Sequence, residues 1–247
     1  MANLSNADGT ITIKAKSTDA IYNLLLAQRY ADAQYEYRTE LTSSNLNATE
    51  LKSDIENISF TNQENLKVYT DTFYGIGRWS FECNVNWFMD CLELDSHDPD
   101  DIKEAKLKAQ NEYYLIQFEI KDEECGCEML YEATATIEYN PETKKSNISY
   151  DIIQEYDYTR DNLIKVGFYT DDELFSINDV IENFDNYTDY WGIDEELIIN
   201  HKQDIINILK KLPNKDYPYV ELYEIIEYNH KLEMLFEELE YQYEKFE

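Results

Sequence analysis

Residues able to do chemistry are few in this 247-residue chain, and each group is open to a plain structural reading. Pro99-Asp100 followed by Glu119-Ile120-Lys121 has the layout of the loose PD…(D/E)xK pattern, in which two carboxylates hold a divalent metal and a lysine positions or activates the attacking water. Residues 102–110 between the two halves read as helix, and a chain with 52 Asp+Glu generates such matches by chance. A metal-dependent nuclease using Asp100, Glu119 and Lys121 is therefore the alternative expectation, and a protein without catalytic residues the leading one. Asp95-Ser96-His97-Asp98-Pro99-Asp100-Asp101 lacks the sixth-position glycine of a calcium loop and carries Pro at the fifth, so it reads as a solvated loop leading into a helix. Cys83, Cys91, Cys125 and Cys127 form no CxxC pair and read as reduced thiols rather than zinc ligands. His97, His201 and His230 stand beside no nucleophile motif, and Gly75-Ile76-Gly77-Arg78 lacks the Lys-Ser/Thr of a phosphate-cradling loop. No cofactor is expected.

Charge is the stronger signal. Residues 1–80 hold ten acids against seven bases, residues 81–154 eighteen against six, and residues 155–247 twenty-four against eight, for a net charge of −31. Such a field repels nucleic acid and anionic membrane and favours encounter with basic surfaces. The 43% hydrophobic and 14% aromatic content, with 22 tyrosines, separates the chain from acidic disordered sequences and predicts a folded protein. The first residues, Met1-Ala2-Asn3-Leu4-Ser5-Asn6, show neither a basic region nor an apolar run, so a cytoplasmic location is expected.

Two acidic arrays stand out in the last third. Glu233, Glu237, Glu240 and Glu244 recur at spacings of four and three and would share one stripe of a helix, where like charges repel. The stretch from Glu155 to Glu196 holds thirteen acids and two bases, among them Asp171, Asp172, Asp185 and Asp189, interleaved with Tyr187, Tyr190 and Trp191. Carboxylates ordered on a scaffold, with aromatic anchors between them, can stand in for phosphates in the groove of a nucleic-acid-binding protein. In composition the chain resembles the acidic DNA-mimic inhibitors that phages and mobile elements direct against restriction or CRISPR nucleases. That resemblance implies an anti-defence inhibitor whose partner is a basic nucleic-acid-binding protein, with those eleven residues as contacts and no direct binding of nucleic acid or membrane.

These residues need elements to hold them. Thr10 to Lys16 alternates as a strand, Ser17 or Thr18 caps a following helix, and Leu66 to Phe73 reads as a strand that Gly75-Ile76-Gly77 ends in a turn, with Trp79 entering the core. Cys83 to Leu92 has a helical period; Tyr113 to Ile120, Glu132 to Tyr139 and Asn147 to Tyr158 form an antiparallel meander. The order predicts an α+β fold, an antiparallel sheet with helices on one face, for which a ferredoxin-like arrangement is a candidate, spanning residues 1–160. Residues 161–247 read as an acidic helical part. Asp194 is expected to cap a helix running through His201 to Leu212, and a last helix from Pro218 carries a coiled-coil-like seam with Asn229 in it, for which homodimerisation through 218–247 and packing onto the preceding helix through Leu197, Ile205 and Leu212 are both open expectations.

Overall fold

A computed structural model of the chain describes residues 4–34, 38–57, 60–61, 65–124, 127–184, 195–212, 215–218, 226 and 229–243. It divides into two compact units, Met1–Asp157 and Tyr158–Glu247.

The first unit is an α+β layer pair. Its strands are β1 (Leu4–Ala15), β2 (Thr39–Leu41), β3 (Phe60–Thr61), β4 (Leu66–Arg78), β5 (Tyr114–Glu124), β6 (Met129–Asn140) and β7 (Lys145–Glu155). They form one antiparallel sheet in the order β2-β4-β1-β5-β6-β7, with β3 also paired to β4. Because β4 and β5 both run antiparallel to β1, they are parallel to each other with β1 between them. That split β-α-β unit is what the sheet shares with the ferredoxin-like candidate; the β5-β6-β7 meander extends it.

Period-2 patterning explains why helices cover one face only. Along β1, Ala7, Ile11, Ile13 and Ala15 are buried, while Asp8, Thr10, Thr12 and Lys14 point the other way. The inward side chains, with Phe73, Ile116, Phe118, Ile120 and Ile137, pack in one core against Ile21, Leu24 and Leu25 of α1 (Thr18–Asp32) and Leu51 and Ile55 of α2 (Ala48–Glu56). Val85 of α3 (Glu82–Trp87) and Ala109 of α4 (Asp100–Ala109) complete it. Ser17 caps α1, its Oγ accepting from Ala20 N at 3.0 Å, and Asn47 caps α2 with a reciprocal Glu50 bond.

Several expectations change here. Gly75-Ile76-Gly77 is strand rather than turn: a Cβ on Gly75 would lie 2.2 Å from the Phe81 ring, so the glycine lets that ring lie against the strand. The chain turns at Arg78–Ser80 instead, with Trp79 at φ 69° and 54% exposed, so Phe81 and not Trp79 enters the core. The helix expected over Cys83 to Leu92 is α3 plus a separate 3-10 turn, Asp90–Leu92. The loop before α4 is not simply solvated, since Asp98 is buried against Lys106 Nζ at 2.8 Å, and among the described residues no cluster of His, Cys, Asp and Glu is arranged to hold a metal.

The second unit contains α5 (Arg160–Val166), β8 (Leu174–Ser176), α6 (Ile177–Glu182), α7 (Glu195–Asn200), α8 (Lys202–Leu209), β9 (Asp216–Pro218) and α9 (His230–Tyr243), with β8 and β9 paired antiparallel. Leu163, Val166, Leu174, Ile177, Val180, Phe184, Ile198, Ile205, Leu209, Pro218, Ile226 and Leu232 are its buried apolar side chains among the described residues. The single helix expected through His201 is broken there, and His201 lies half-exposed between α7 and α8. Pro218 belongs to β9 and Asn229 precedes α9, where its Oδ1 accepts from Lys231 N at 3.2 Å and Leu232 N at 3.4 Å. Asn229 is thus a cap instead of a seam residue, because a short amide side chain satisfies the free N–H groups of a first helical turn. Leu222 and Ile225 of the expected seam, and the expected cap Asp194, lie outside the described residues. No helix among the described residues is long and apolar enough to cross a membrane.

Candidate functional site on the open sheet face

The sheet face away from the helices is polar, and strand register brings its side chains into rows. Glu40 of β2 pairs with Tyr74 of β4, Tyr74 with Asp8 of β1, Asp8 with Lys121 of β5, and Lys121 with Glu132 of β6. The adjacent row runs Thr72, Thr10, Glu119, Thr134 and Asp151 from β4 to β7. Five strands therefore each place one carboxylate in two neighbouring rows: Glu40, Asp8, Glu119, Glu132 and Asp151. Diagonal neighbours such as Asp8 and Glu119, or Glu119 and Glu132, are separated by roughly 7–8 Å at the backbone.

An open cleft of about 850 Å³ lies over these rows, lined by Asp8, Glu40, Glu119, Glu132, Lys121, Thr10, Thr42, Thr72, Thr134, Tyr74 and Ile153. Among the described residues Lys121 is the one cation in that lining. It faces Asp8 across the strands, yet no ion pair closes between them. Asp8 Oδ1 is buried without a hydrogen-bond partner. Burial raises the Asp8 carboxyl above its ordinary pKa, and the Lys121 ammonium only partly opposes this. Glu119 accepts from Thr10 Oγ1 at 3.0 Å, the Thr42 and Thr72 hydroxyls are hydrogen-bonded at 2.5 Å, and Tyr74 donates to Asn6 Oδ1 at 2.9 Å. Beneath the cleft, a Cβ on Gly9 would meet the Glu119 carbonyl oxygen at 1.9 Å, so only glycine lets β1 and β5 approach there. The result is a hydroxyl-rich surface whose carboxylates outnumber its lysine among the described residues, so its local charge is negative.

The nuclease constellation is not assembled as expected. Asp100 lies in the first turn of α4, in the helix layer, while Glu119 and Lys121 point out from the opposite sheet face. Asp8, directly across from Lys121, occupies the place that Asp100 was expected to fill. Asp8, Glu40, Glu132 and Asp151 were missed by sequence reasoning, though the alternation Asp8-x-Thr10-x-Thr12-x-Lys14 marked a polar strand face.

The two C-terminal arrays fare unequally. Asp171 is engaged by Arg160, whose Nε donates to Asp171 Oδ1 at 2.8 Å and Nη2 to its carbonyl; Nη1 reaches Asp216 Oδ1 and Leu174 O, both at 3.0 Å. Asp172 is exposed, its pKa held below the ordinary value by the Thr170 side chain and a backbone hydrogen bond. Glu233 and Glu237 are exposed on α9, and Glu240 follows them along its backbone. Asp185, Tyr187, Asp189, Tyr190, Trp191 and Glu244 lie outside the described residues. A scan against protein-family models, a search of curated proteins and a search of solved structures each return no match.

Proposed function

We propose that this protein is a non-catalytic inhibitor that occupies the basic nucleic-acid-binding groove of a nuclease or another nucleic-acid-handling protein. The observation that carries this reading is the set of four carboxylates, Asp8, Glu40, Glu119 and Glu132, that four strands place in the lining of one cleft, against one lysine there among the described residues. A net charge of −31 extends the same preference to the whole chain. Basic grooves carry Lys and Arg arranged for a regular run of phosphates, and fixed carboxylates compete for those side chains. The test is capture from a nuclease-treated bacterial lysate at low and high salt, followed by competition with duplex DNA. The expected result is one dominant nucleic-acid-binding protein, released by salt and by DNA; a capture that DNA does not compete overturns mimicry.

One observation favours a second reading. Strand register places Asp8, Glu119 and Lys121 on one face of neighbouring strands, the residue types a metal-dependent phosphodiesterase needs. That reading predicts Mg²⁺-dependent DNA cleavage abolished by Glu119→Gln.

A further inference from the structure

The geometry points to the open sheet face of the first unit, rather than the C-terminal acidic arrays, as the surface that receives the partner, and to arginine-rich polypeptide as what it receives. This rests on the reading of the protein as a binder of basic surfaces.

Three observations separate this face from the other acidic regions. Its carboxylates are fixed by strand register, so binding orders less side chain and backbone than a helix-end stripe or a loop would require. They stand within a cleft, where a guanidinium is partly desolvated and its attraction to carboxylate is less screened than on an exposed helix. The charge there is unbalanced, since Asp8, Glu40, Glu119 and Glu132 share the lining with one cation among the described residues, Lys121. By contrast Asp171 already belongs to Arg160, and Glu233 lies 3.6 Å from His230 Nδ1 at the exposed start of α9.

Charge complementarity selects the occupant. Asp8, Glu119 and Glu132 surround Lys121 with an excess of negative charge, which disfavours phosphate and favours a guanidinium. The exposed Tyr74 ring in the same row offers a face on which a planar guanidinium stacks. The threonine hydroxyls accept the remaining N–H donors. Arginine fits better than lysine because its fork reaches two diagonal carboxylates at once.

The test uses full-length protein and an eight-residue oligo-arginine peptide as the probe, with ¹⁵N amide shift mapping and titration at low and physiological salt. Shifts are expected to cluster at Thr10, Glu119 and Thr134. Affinity should fall at least tenfold in Asp8→Asn/Glu119→Gln/Glu132→Gln while changing little in Glu233→Gln/Glu237→Gln. An oligo-lysine peptide should bind the wild type more weakly. Circular dichroism and thermal melting of both variants distinguish lost contacts from lost fold, and a second pair, Glu40→Gln/Asp151→Asn, repeats the test if the triple variant melts early. Shifts centred on α9, with the larger loss in the helix variant, overturn the assignment of this face while leaving the inhibitor reading standing. Absence of any peptide binding at low salt sinks both. Selective Mn²⁺ broadening at Asp8 and Glu119, without a peptide response, transfers the cleft to the metal-dependent reading.

Discussion

The two units of this chain are both acidic, but they use their carboxylates differently. In the second unit, acids are absorbed into local structure: Asp171 and Asp216 hold Arg160, Glu173 closes a capping box with Thr170, and Asp179 closes one with Ser176. In the first, Glu40, Asp8, Glu119 and Asp151 stand on a sheet face whose register was set by apolar residues on its other side. Counting acids therefore overstates how much charge a region offers to a partner. What matters is whether a carboxylate is already held by a cation or a helix cap; on the open face Glu119 has the Thr10 hydroxyl and Glu132 the Tyr156 hydroxyl.

The contrast has a pH signature, and it provides the largest predicted effect. Asp32 of the first unit is partly buried, and that desolvation pushes its carboxyl from 3.8 to about 7 despite hydrogen bonds from Thr39 N and Gln28 Nε2. Because the folded pKa is the higher one, folding takes up a proton. This contribution is fully present below the unfolded value and is lost as pH rises through about 7, on the order of 4 kcal/mol for that displacement. Urea unfolding of wild type and Asp32→Asn between pH 4 and 8 should show that decline in the wild type and a flatter curve in the variant; parallel curves would contradict it. Asp172 and Glu173 have the opposite sign, since hydrogen bonds hold their carboxyls below the ordinary values, and their stabilisation is lost on acidification.

Gly9→Ala is the next largest. Its methyl group would collide with the Glu119 carbonyl in the middle of the β1–β5 ladder, so a loss of about 3 kcal/mol is expected in the first unit, with protection of its strand amides falling in hydrogen exchange. Arg160→Ala should cost about 2 kcal/mol and act in the second unit, because it leaves Asp171, Asp216 and the Leu174 carbonyl without their shared donor. Limited proteolysis should then cut beyond residue 158 first; equal sensitivity of both units would break the comparison. Ser176→Ala, which removes the α6 cap, should cost about 1 kcal/mol and leave peptide binding at the open face unchanged.

Local signals were legible and non-local ones were not. Ser17 as a cap and the alternation of β1, β5 and β6 follow from residues within one turn or one strand of each other. Gly75-Ile76-Gly77 resembles a turn because nothing nearby in sequence tells that the Phe81 ring returns to cover Gly75. The candidate site was hardest to read. Glu119 and Lys121 were singled out, yet their neighbour on the sheet is Asp8, more than a hundred residues earlier, and no periodicity announces which strands pair. The Asn229 error has the same origin, since a polar residue at seam spacing and a helix cap look alike until the helix start is known.

The position of β1 also bears on synthesis. It is made before β4 and β5 but lies between them, so its second edge stays unpaired until Glu124 has left the ribosome. At translation speeds of about 5–20 residues per second, the interval between Ala15 and Glu124 lasts roughly 5–20 seconds. Over that time the alternating strand, with Ile11 and Ile13 on one side and Asp8, Thr10 and Thr12 on the other, must remain uncommitted. Its polar side discourages capture by another nascent chain, so the same residues that shape the finished cleft guard the strand before the cleft exists.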